Sequence, residues 1–189
     1  MNGNRVILVG GGVRSGKSAF ALVRARSLGV RRAFVATAQG FDPEMKERIA
    51  LHRRERGGDF QTIEEPVALP AALDALRDVD VVVVDCVTLW LSNLLLRDEP
   101  SRQVLQRVDE LAEVLHRRAF HAIVVTNEVG MGVVPETPLG RAFRDVCGLA
   151  HQRLTRRADE IHVAILGAVL RIKPAPVEIQ DGGIHADVQ

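Results

Sequence analysis

Val6-Ile7-Leu8-Val9-Gly10-Gly11-Gly12-Val13-Arg14-Ser15-Gly16-Lys17-Ser18 decides how this chain is read. An apolar run leads into the glycines, and a helix-like segment over 19–27 leads out. Gly11, four residues, then Gly16, Lys17 and Ser18 match the P-loop pattern for nucleoside triphosphates. The spacing has a physical reason. A triphosphate needs several backbone N–H groups turned inward, and glycines permit this because they tolerate unusual φ/ψ and carry no obstructing Cβ. The helix that follows points its positive end at the phosphates. Lys17 is placed to reach the β/γ-phosphates, and the Ser18 hydroxyl to ligate Mg²⁺. Strand and helix flank the motif as it requires, so the chain reads as nucleotide-binding.

The bulk properties narrow the class. A chain of 189 residues, 47% hydrophobic and 26% charged, suits one domain with a full core. Residues 1–189 are therefore read as a single P-loop nucleotide-binding domain, with 180–189 as a loosely held tail. A formal net charge of +1 supplies no global field for nucleic acid or an anionic membrane. Cys86 and Cys147 lack metal-ligand spacing and read as reduced core thiols. The run Val81-Val82-Val83-Val84 is too short to span a bilayer, and the chain starts directly on a strand without a signal peptide. A cytoplasmic protein with no integral membrane segment is expected.

Strand and helix patterns alternate from end to end. Strands are expected over 5–9, 32–37, 60–64, 80–85 and 122–125, and a closing hairpin over 161–166 and 169–172, split by Gly167-Ala168. Helices are expected over 17–27, 69–76, 101–119 and 139–157, with another through Leu89, Trp90, Leu94 and Leu95. Asp42-Pro43-Glu44 reads as an N-cap, a first-turn proline and a first-turn acid. The helix so begun carries Met45, Ile49 and His52 on one face, read as inward, and stops at Gly57-Gly58. This order predicts an α/β fold: a mostly parallel sheet, helices on both faces and a C-terminal antiparallel hairpin. Ligands in such folds gather at the carboxyl ends of the strands. Thr37, Asp85 and the Thr126-Asn127-Glu128 tip would lie there beside the P-loop.

Asp85 ends the most hydrophobic strand, where an acid holds Mg²⁺ directly or through water. The competing reading is a cap for the helix beginning near Thr88. His52 is followed by Arg53, Arg54, Glu55 and Arg56. Guanidiniums beside an imidazole favour bound phosphate, and a neutral imidazole is a competent nucleophile toward phosphorus. On spacing alone, a histidine half-buried against the core is the better explanation of His52, and an arginine-rich helix end is usually a solvated face or a match to the helix dipole. Glu64, Glu65 and Glu128 sit at strand tips, where they either accept hydrogen bonds from a ligand or face solvent. Asn127 and Arg144 are plausible polar pocket residues, and Trp90 reads as core.

Longer blocks carry more. Gly11 through Ser18, Val35-Ala36-Thr37-Ala38, Glu44-Met45 with Arg48-Ile49 and His52-Arg53, and Asp85-Cys86-Val87-Thr88-Leu89-Trp90-Leu91-Ser92-Asn93-Leu94 follow in order. Then come Thr126-Asn127-Glu128-Val129-Gly130-Met131-Gly132-Val133-Val134-Pro135, Phe143-Arg144-Asp145 and Ala158-Asp159-Glu160. Over about 5–173 the chain closely resembles the bifunctional adenosylcobinamide kinase/adenosylcobinamide-phosphate guanylyltransferases of cobalamin biosynthesis. The resemblance implies a RecA-like fold, a homotrimer, and ATP and GTP as substrates with Mg²⁺. It implies phosphorylation of adenosylcobinamide, then GMP transfer from GTP to adenosylcobinamide phosphate through a guanylylated histidine. In Arg48-Ile49-Ala50-Leu51-His52 that histidine is His52. Nucleotide contacts are implied for Gly11, Gly12, Val13, Arg14, Ser15, Gly16, Lys17 and Ser18, for Ala36, Thr37 and Ala38, for Arg53, Arg54, Glu55 and Arg56, and for Glu64 and Asp85. Lys17 joins His52 as catalytic, and Ser18 with Asp85 would hold the metal.

Two departures stand out. Gly148-Leu149-Ala150-His151-Gln152 replaces the family's usual Gly-Arg-x-Asn-Gln, and Gly57-Gly58 follows the arginines where a proline is common. Two other readings compete: a single-activity P-loop kinase of another small alcohol, and a non-enzymatic nucleotide switch. The switch is disfavoured because Asn127 is followed by Glu128-Val129 and not by the Lys-x-Asp of guanine-reading switches.

Overall fold

Strands that are apolar on both faces need helices above and below them, and the chain folds accordingly. The computed structural model describes residues 3–40 and 43–180. In chain order its elements are β1 (Val6–Gly11), α1 (Lys17–Leu28), β2 (Arg32–Ala36), α2 (Pro43–Arg56), β3 (Gln61–Glu64), α3 (Leu69–Asp74) and β4 (Val81–Asp85). Next come α4 (Val87–Leu95), α5 (Ser101–Arg117), β5 (His121–Val125), α6 (Pro138–Arg157), β6 (Glu160–Ile165), β7 (Ala168–Lys173) and β8 (Glu178–Gln180). The described strands form one sheet in the order β3-β2-β4-β5-β1-β6-β7-β8. Pairing is parallel from β3 to β6 and antiparallel from β6 through β7 to β8.

Alternation along the strands splits the core in two. Val6, Leu8, Val82, Val84 and Val124 point to the face covered by Trp90 and Leu94 of α4, Val108 and Leu111 of α5, and Val146 and Leu154 of α6. Ile7, Val9, Val81, Val83, Ile123 and Val125 point the other way, onto Phe20, Ala21 and Ala25 of α1. Trp90 is core, as its sequence context indicated, and its Nε1–H donates to Val67 O at 2.8 Å. Removing such a side chain costs about 3–5 kcal/mol, against roughly 1 kcal/mol net for the hydrogen bond alone. Burial therefore dominates at this position. No helix among the described residues is long and apolar enough to cross a membrane.

Element ends differ from the sequence reading by one to three residues at several places, as at β1 and α3. The expected hairpin forms, but its turn is Leu166-Gly167, both at positive φ (52° and 79°), and Ala168 already belongs to β7. Two positive φ values suit the twist of a tight hairpin. Gln180, expected in a loose tail, closes β8 instead, paired with Val169. β8 is three residues long and follows Pro174 and Pro176, too brief and too interrupted to leave a periodic signal. Residues 181–189 and the proposed cap Asp42 lie outside the described residues.

A buried polar cluster fastens α1 and the start of β1 to β6. Arg5 Nη1 donates to Glu160 Oε1 at 2.7 Å, Arg24 of α1 reaches the same oxygen at 3.1 Å, and His162 Nε2 lies 3.1 Å from Oε2. The His162 ring is 1% exposed and sits 5.0 Å from the Phe20 ring. Burial pushes its imidazole below the ordinary 6.5, against the pull of Glu160. For Glu160, burial favours the neutral acid, but hydrogen bonds from His162 and Arg5 and the Arg24 charge outweigh it and hold the carboxyl below 4.5. Burial likewise lowers His121 and His151. Each of these histidines binds its proton more readily in the unfolded chain. Below about pH 6.5 the unfolded state therefore takes up more protons and stability falls, until the pH passes the lower native values. Urea midpoints measured from about pH 7.5 to 5 should decline, and the decline should be shallower in His162→Gln. An identical slope in that variant would place the proton uptake elsewhere.

Candidate active site at the strand tips

The sheet order puts β5 between β4 and β1, so the tips of three strands converge. Asp85 pairs with Ala36 on one side and Val125 on the other, and Ala36 pairs with Glu64. Asp85, Ala36 and Glu64 thus stand level along the carboxyl edge. Val125 pairs with Val9, at the foot of the glycine loop.

The loop itself is shaped by what surrounds it. A Cβ on Gly11 would lie 2.6 Å from Ala164 O and 2.7 Å from Ser15 Oγ, so any side chain there collides with β6. Gly16, at φ 86°, is the N-cap of α1 and offers no side-chain cap; the first turn carries no acid. The leading N–H groups of α1 are thereby left for an anion. Ser15 Oγ is buried with no hydrogen-bond partner among the described residues. Lys17 is 7% exposed, and its Nζ donates to Gly12 O at 3.0 Å. Burial lowers the Lys17 ammonium from 10.5, while Asp85 and Cys86 act to raise it. Gly12, Val13 and Arg14 are exposed at the crest, and Ser18 is half-buried.

Asp85 does not cap α4. Cys86 is the N-cap, again with no side-chain hydrogen bond, and the Asp85 carbonyl accepts from Thr37 N at 3.2 Å. The half-buried Asp85 carboxylate acts electrostatically on both Lys17 and Arg56. Ser18 and Asp85 offer a hydroxyl and a carboxylate oxygen, donors that suit a hard cation such as Mg²⁺.

Thr37 does something the sequence did not reveal. It is fully buried; its hydroxyl donates to Cys86 O at 2.8 Å and accepts from Cys86 N at 2.9 Å. Asn93 Nδ2 donates to Thr37 O at 2.8 Å and to Pro66 O at 3.0 Å. The Thr37 hydroxyl is therefore spent inside the fold, locking β2 to β4, and Ala36 and Ala38 are the half-buried parts of that stretch. Asn127 extends the lock across the edge, donating from Nδ2 to Thr88 Oγ1 at 2.8 Å. Glu65 is half-buried, and its Oε1 accepts from Val67 N and Ala68 N at 2.8 and 2.7 Å, ahead of α3.

On α2 the expected inward face is only partly realised. Met45 and Ile49 are half-buried, but His52 is exposed along with Arg53 and Arg54. The inward position of the last turn goes to Arg56, 4% exposed, with its guanidinium 4.1 Å above the Phe34 ring and donating to Thr62 Oγ1 at 3.0 Å. Few apolar residues line this helix, so it cannot press its whole face into the core, and the long aliphatic stem of Arg56 fills the gap. Arg53 forms an ion pair with Glu64, which brings the His52-bearing turn to the level of Asp85 and Ala36. With the partners 56% and 58% exposed, such a pair is worth ~0–1 kcal/mol and orients the turn without locking it.

Glu128 reaches the loop from beyond β5, and His151 faces Glu128. Glu128 N donates to Gly11 O at 3.0 Å, and its Oε1 accepts from Gly130 N at 2.7 Å. His151 of α6, one of the family departures, has Nε2 2.7 Å from Thr126 Oγ1 and Nδ1 3.8 Å from Glu128 Oε2. The sequence marked Glu128 as a strand tip, but nothing in the helical period of α6 pointed to His151.

A parallel sheet whose first strand feeds a glycine loop and an uncapped helix defines a P-loop protein of the RecA-like class. The RadB recombinase structure supports that fold, with a TM-score of 0.51, 20% identity, and coverage of 88% of this chain and 79% of that one. The family model for cobinamide kinase / cobinamide phosphate guanyltransferase matches residues 7–172. The bifunctional adenosylcobalamin biosynthesis protein CobP of Pseudomonas aeruginosa is 40% identical over 171 residues, covering 90% of this chain and 98% of that protein. The bifunctional adenosylcobalamin biosynthesis protein CobU of Escherichia coli K12 is 36% identical over 183 residues, covering 89% and 99%. The chain belongs to the cobinamide kinase / cobinamide phosphate guanyltransferase family, and it is an enzyme of cobalamin biosynthesis.

Both cysteines are free and buried. Burial pushes the Cys86 thiol up to about 11 and the Cys147 thiol up to about 12. Neither thiolate is populated near neutrality, so iodoacetamide should label neither in the native protein and both after unfolding. Mass spectrometry reads the outcome, and rapid native labelling of Cys86 would mean that the Thr37 lock opens in solution.

Proposed function

We propose that this enzyme phosphorylates adenosylcobinamide with ATP or GTP and then transfers GMP from GTP to adenosylcobinamide phosphate through a guanylylated His52. The observation that carries the nucleotide part is the uncapped first turn of α1 beneath a glycine loop, with the Lys17 ammonium and the unpartnered Ser15 hydroxyl turned into it. In the kinase step, the hydroxyl of the aminopropanol arm attacks the γ-phosphorus. Lys17 releases Gly12 O and, with the loop amides, offsets the charge building on the phosphate oxygens. Ser18 and Asp85 would hold Mg²⁺, which supplies further charge neutralisation when bound. In the transfer step, an imidazole nitrogen of His52 bonds to the α-phosphorus of GTP and pyrophosphate leaves. A phosphate oxygen of the corrinoid substrate then displaces the imidazole, giving adenosylcobinamide-GDP. Splitting the displacement in two is the usual gain of covalent catalysis.

Arg53, Arg54, Glu55 and Arg56 follow His52, and the Arg53–Glu64 pair supports a nucleotide seat at this edge, bounded by Ala36 and Ala38 with Thr37 buried behind them. The whole of 1–189 acts as one P-loop domain in this reading, in the cytoplasm, consistent with free thiols. It assembles as a homotrimer; exposed Met131, Val133, Val134 and Leu139 offer apolar surface for contact between copies.

The decisive experiment is incubation with α-labelled GTP. An acid-labile GMP adduct should map to His52 by mass spectrometry and vanish in His52→Ala, while that variant still phosphorylates cobinamide. Lys17→Ala should lower phosphorylation by about 10²–10³. Absence of any adduct in the parent protein would leave a single-activity P-loop kinase.

A further inference from the structure

Phosphoryl transfer to an alcohol requires somewhere for the hydroxyl proton to go, and most carboxylates at this edge are committed. Glu64 is paired with Arg53, Glu65 holds two backbone N–H groups ahead of α3, and Asp85 stands beside Lys17 as a metal candidate. Glu128 differs in being tied to the glycine loop itself. Its backbone is bonded to Gly11 of the loop and one carboxylate oxygen is anchored by Gly130 N. The other oxygen, Oε2, faces His151 Nδ1 at 3.8 Å, beyond hydrogen-bond length, and the side chain remains 38% exposed. The carboxylate is thus fixed through one oxygen and open through the other, on a residue whose backbone N–H is bonded to the loop.

Resting on the kinase reading above, we propose that Glu128 is the general base of the phosphorylation and that His151 is the residue that positions it. As the acceptor oxygen bonds to the γ-phosphorus, its proton passes to Glu128 Oε2. The bond from the γ-phosphorus to the bridging oxygen breaks, and the electron pair leaves with the nucleoside diphosphate. With Nε2 accepting from the Thr126 hydroxyl, His151 turns its Nδ1–H toward Oε2 and holds the carboxylate in line. The proton taken up by Glu128 leaves to solvent from the exposed side of the carboxyl, resetting the carboxylate. Thr126 is buried at the end of β5 and hydrogen-bonded through N to Val9 O, so the imidazole is referenced to the same strand that carries the loop. Glycine at 130 fits this arrangement: a Cβ there would lie 2.9 Å from Glu128 Oε1.

The test compares steady-state cobinamide phosphorylation in wild type, Glu128→Gln, Glu128→Asp, His151→Leu and His151→Asn, with ATP-induced thermal shift as the control for folding and nucleotide binding. Glu128→Gln keeps the Gly130 contact and should lose about 10²–10⁴ in kcat with the thermal shift retained. Glu128→Asp, a withdrawn carboxylate, should fall between. His151→Leu should lower kcat by about 10- to 100-fold without raising the KM for ATP, and His151→Asn, which restores a polar group facing Oε2, should recover most of that loss. Turnover by Glu128→Gln within about threefold of wild type would overturn the base assignment alone. A His151→Leu effect confined to KM would overturn the positioning role. Wild-type protein that forms no phosphate ester at all would overturn the kinase reading and this inference together.

Discussion

The constraint on which the site depends is the unfilled hydrogen-bonding capacity at the start of α1. A helix normally satisfies its first N–H groups with a side-chain oxygen, and here the capping position is a glycine in a left-handed conformation. The cost of that omission is offset by packing further along, where Phe20, Ala21 and Ala25 are buried against the sheet. The helix can therefore be firmly seated and electrostatically incomplete at one end. Lys17 is its counterpart: an ammonium drawn partly out of water, satisfied by a loop carbonyl until an anion of greater charge displaces that contact.

Around this end the fold uses two grades of attachment. The strand edge is rigid, because Thr37, Cys86, Thr88, Asn93 and Asn127 form a continuous set of short hydrogen bonds joining β2, β4, α4 and the β5 tip. On α2 the exposed turn carries a solvent-screened ion pair, and the last residue, Arg56, stacks on Phe34. A rigid edge suits the positioning of phosphates.

Much of this was legible in the chain. The four-valine run ending in Asp85, the glycine loop and the period of Val104, Val108, Leu111 and Leu115 are local signals, and local signals survive in a sequence. What was hidden depends on which segments meet. Thr37 reads as a polar strand tip and becomes a lock only when β4 lies beside β2. The His52 face was misjudged because helical spacing fixes neighbours on a helix but not the depth to which it sinks, and Arg56 took the inward place. His151 faces Glu128 across 23 positions of chain; no periodicity encodes that distance. β8 was lost because three residues after two prolines carry too little pattern.

β1 pairs with β5 on one edge and β6 on the other, both much later in the chain. The glycine loop also takes its shape from Ala164, against whose carbonyl Gly11 is pressed. During synthesis β1 must therefore wait for β5 to close one edge and then for β6, over 160–165, to close the other. Assembly of the cradle is thus a late and non-local event, and a nascent chain halted before β6 would carry the motif without the means to bend it.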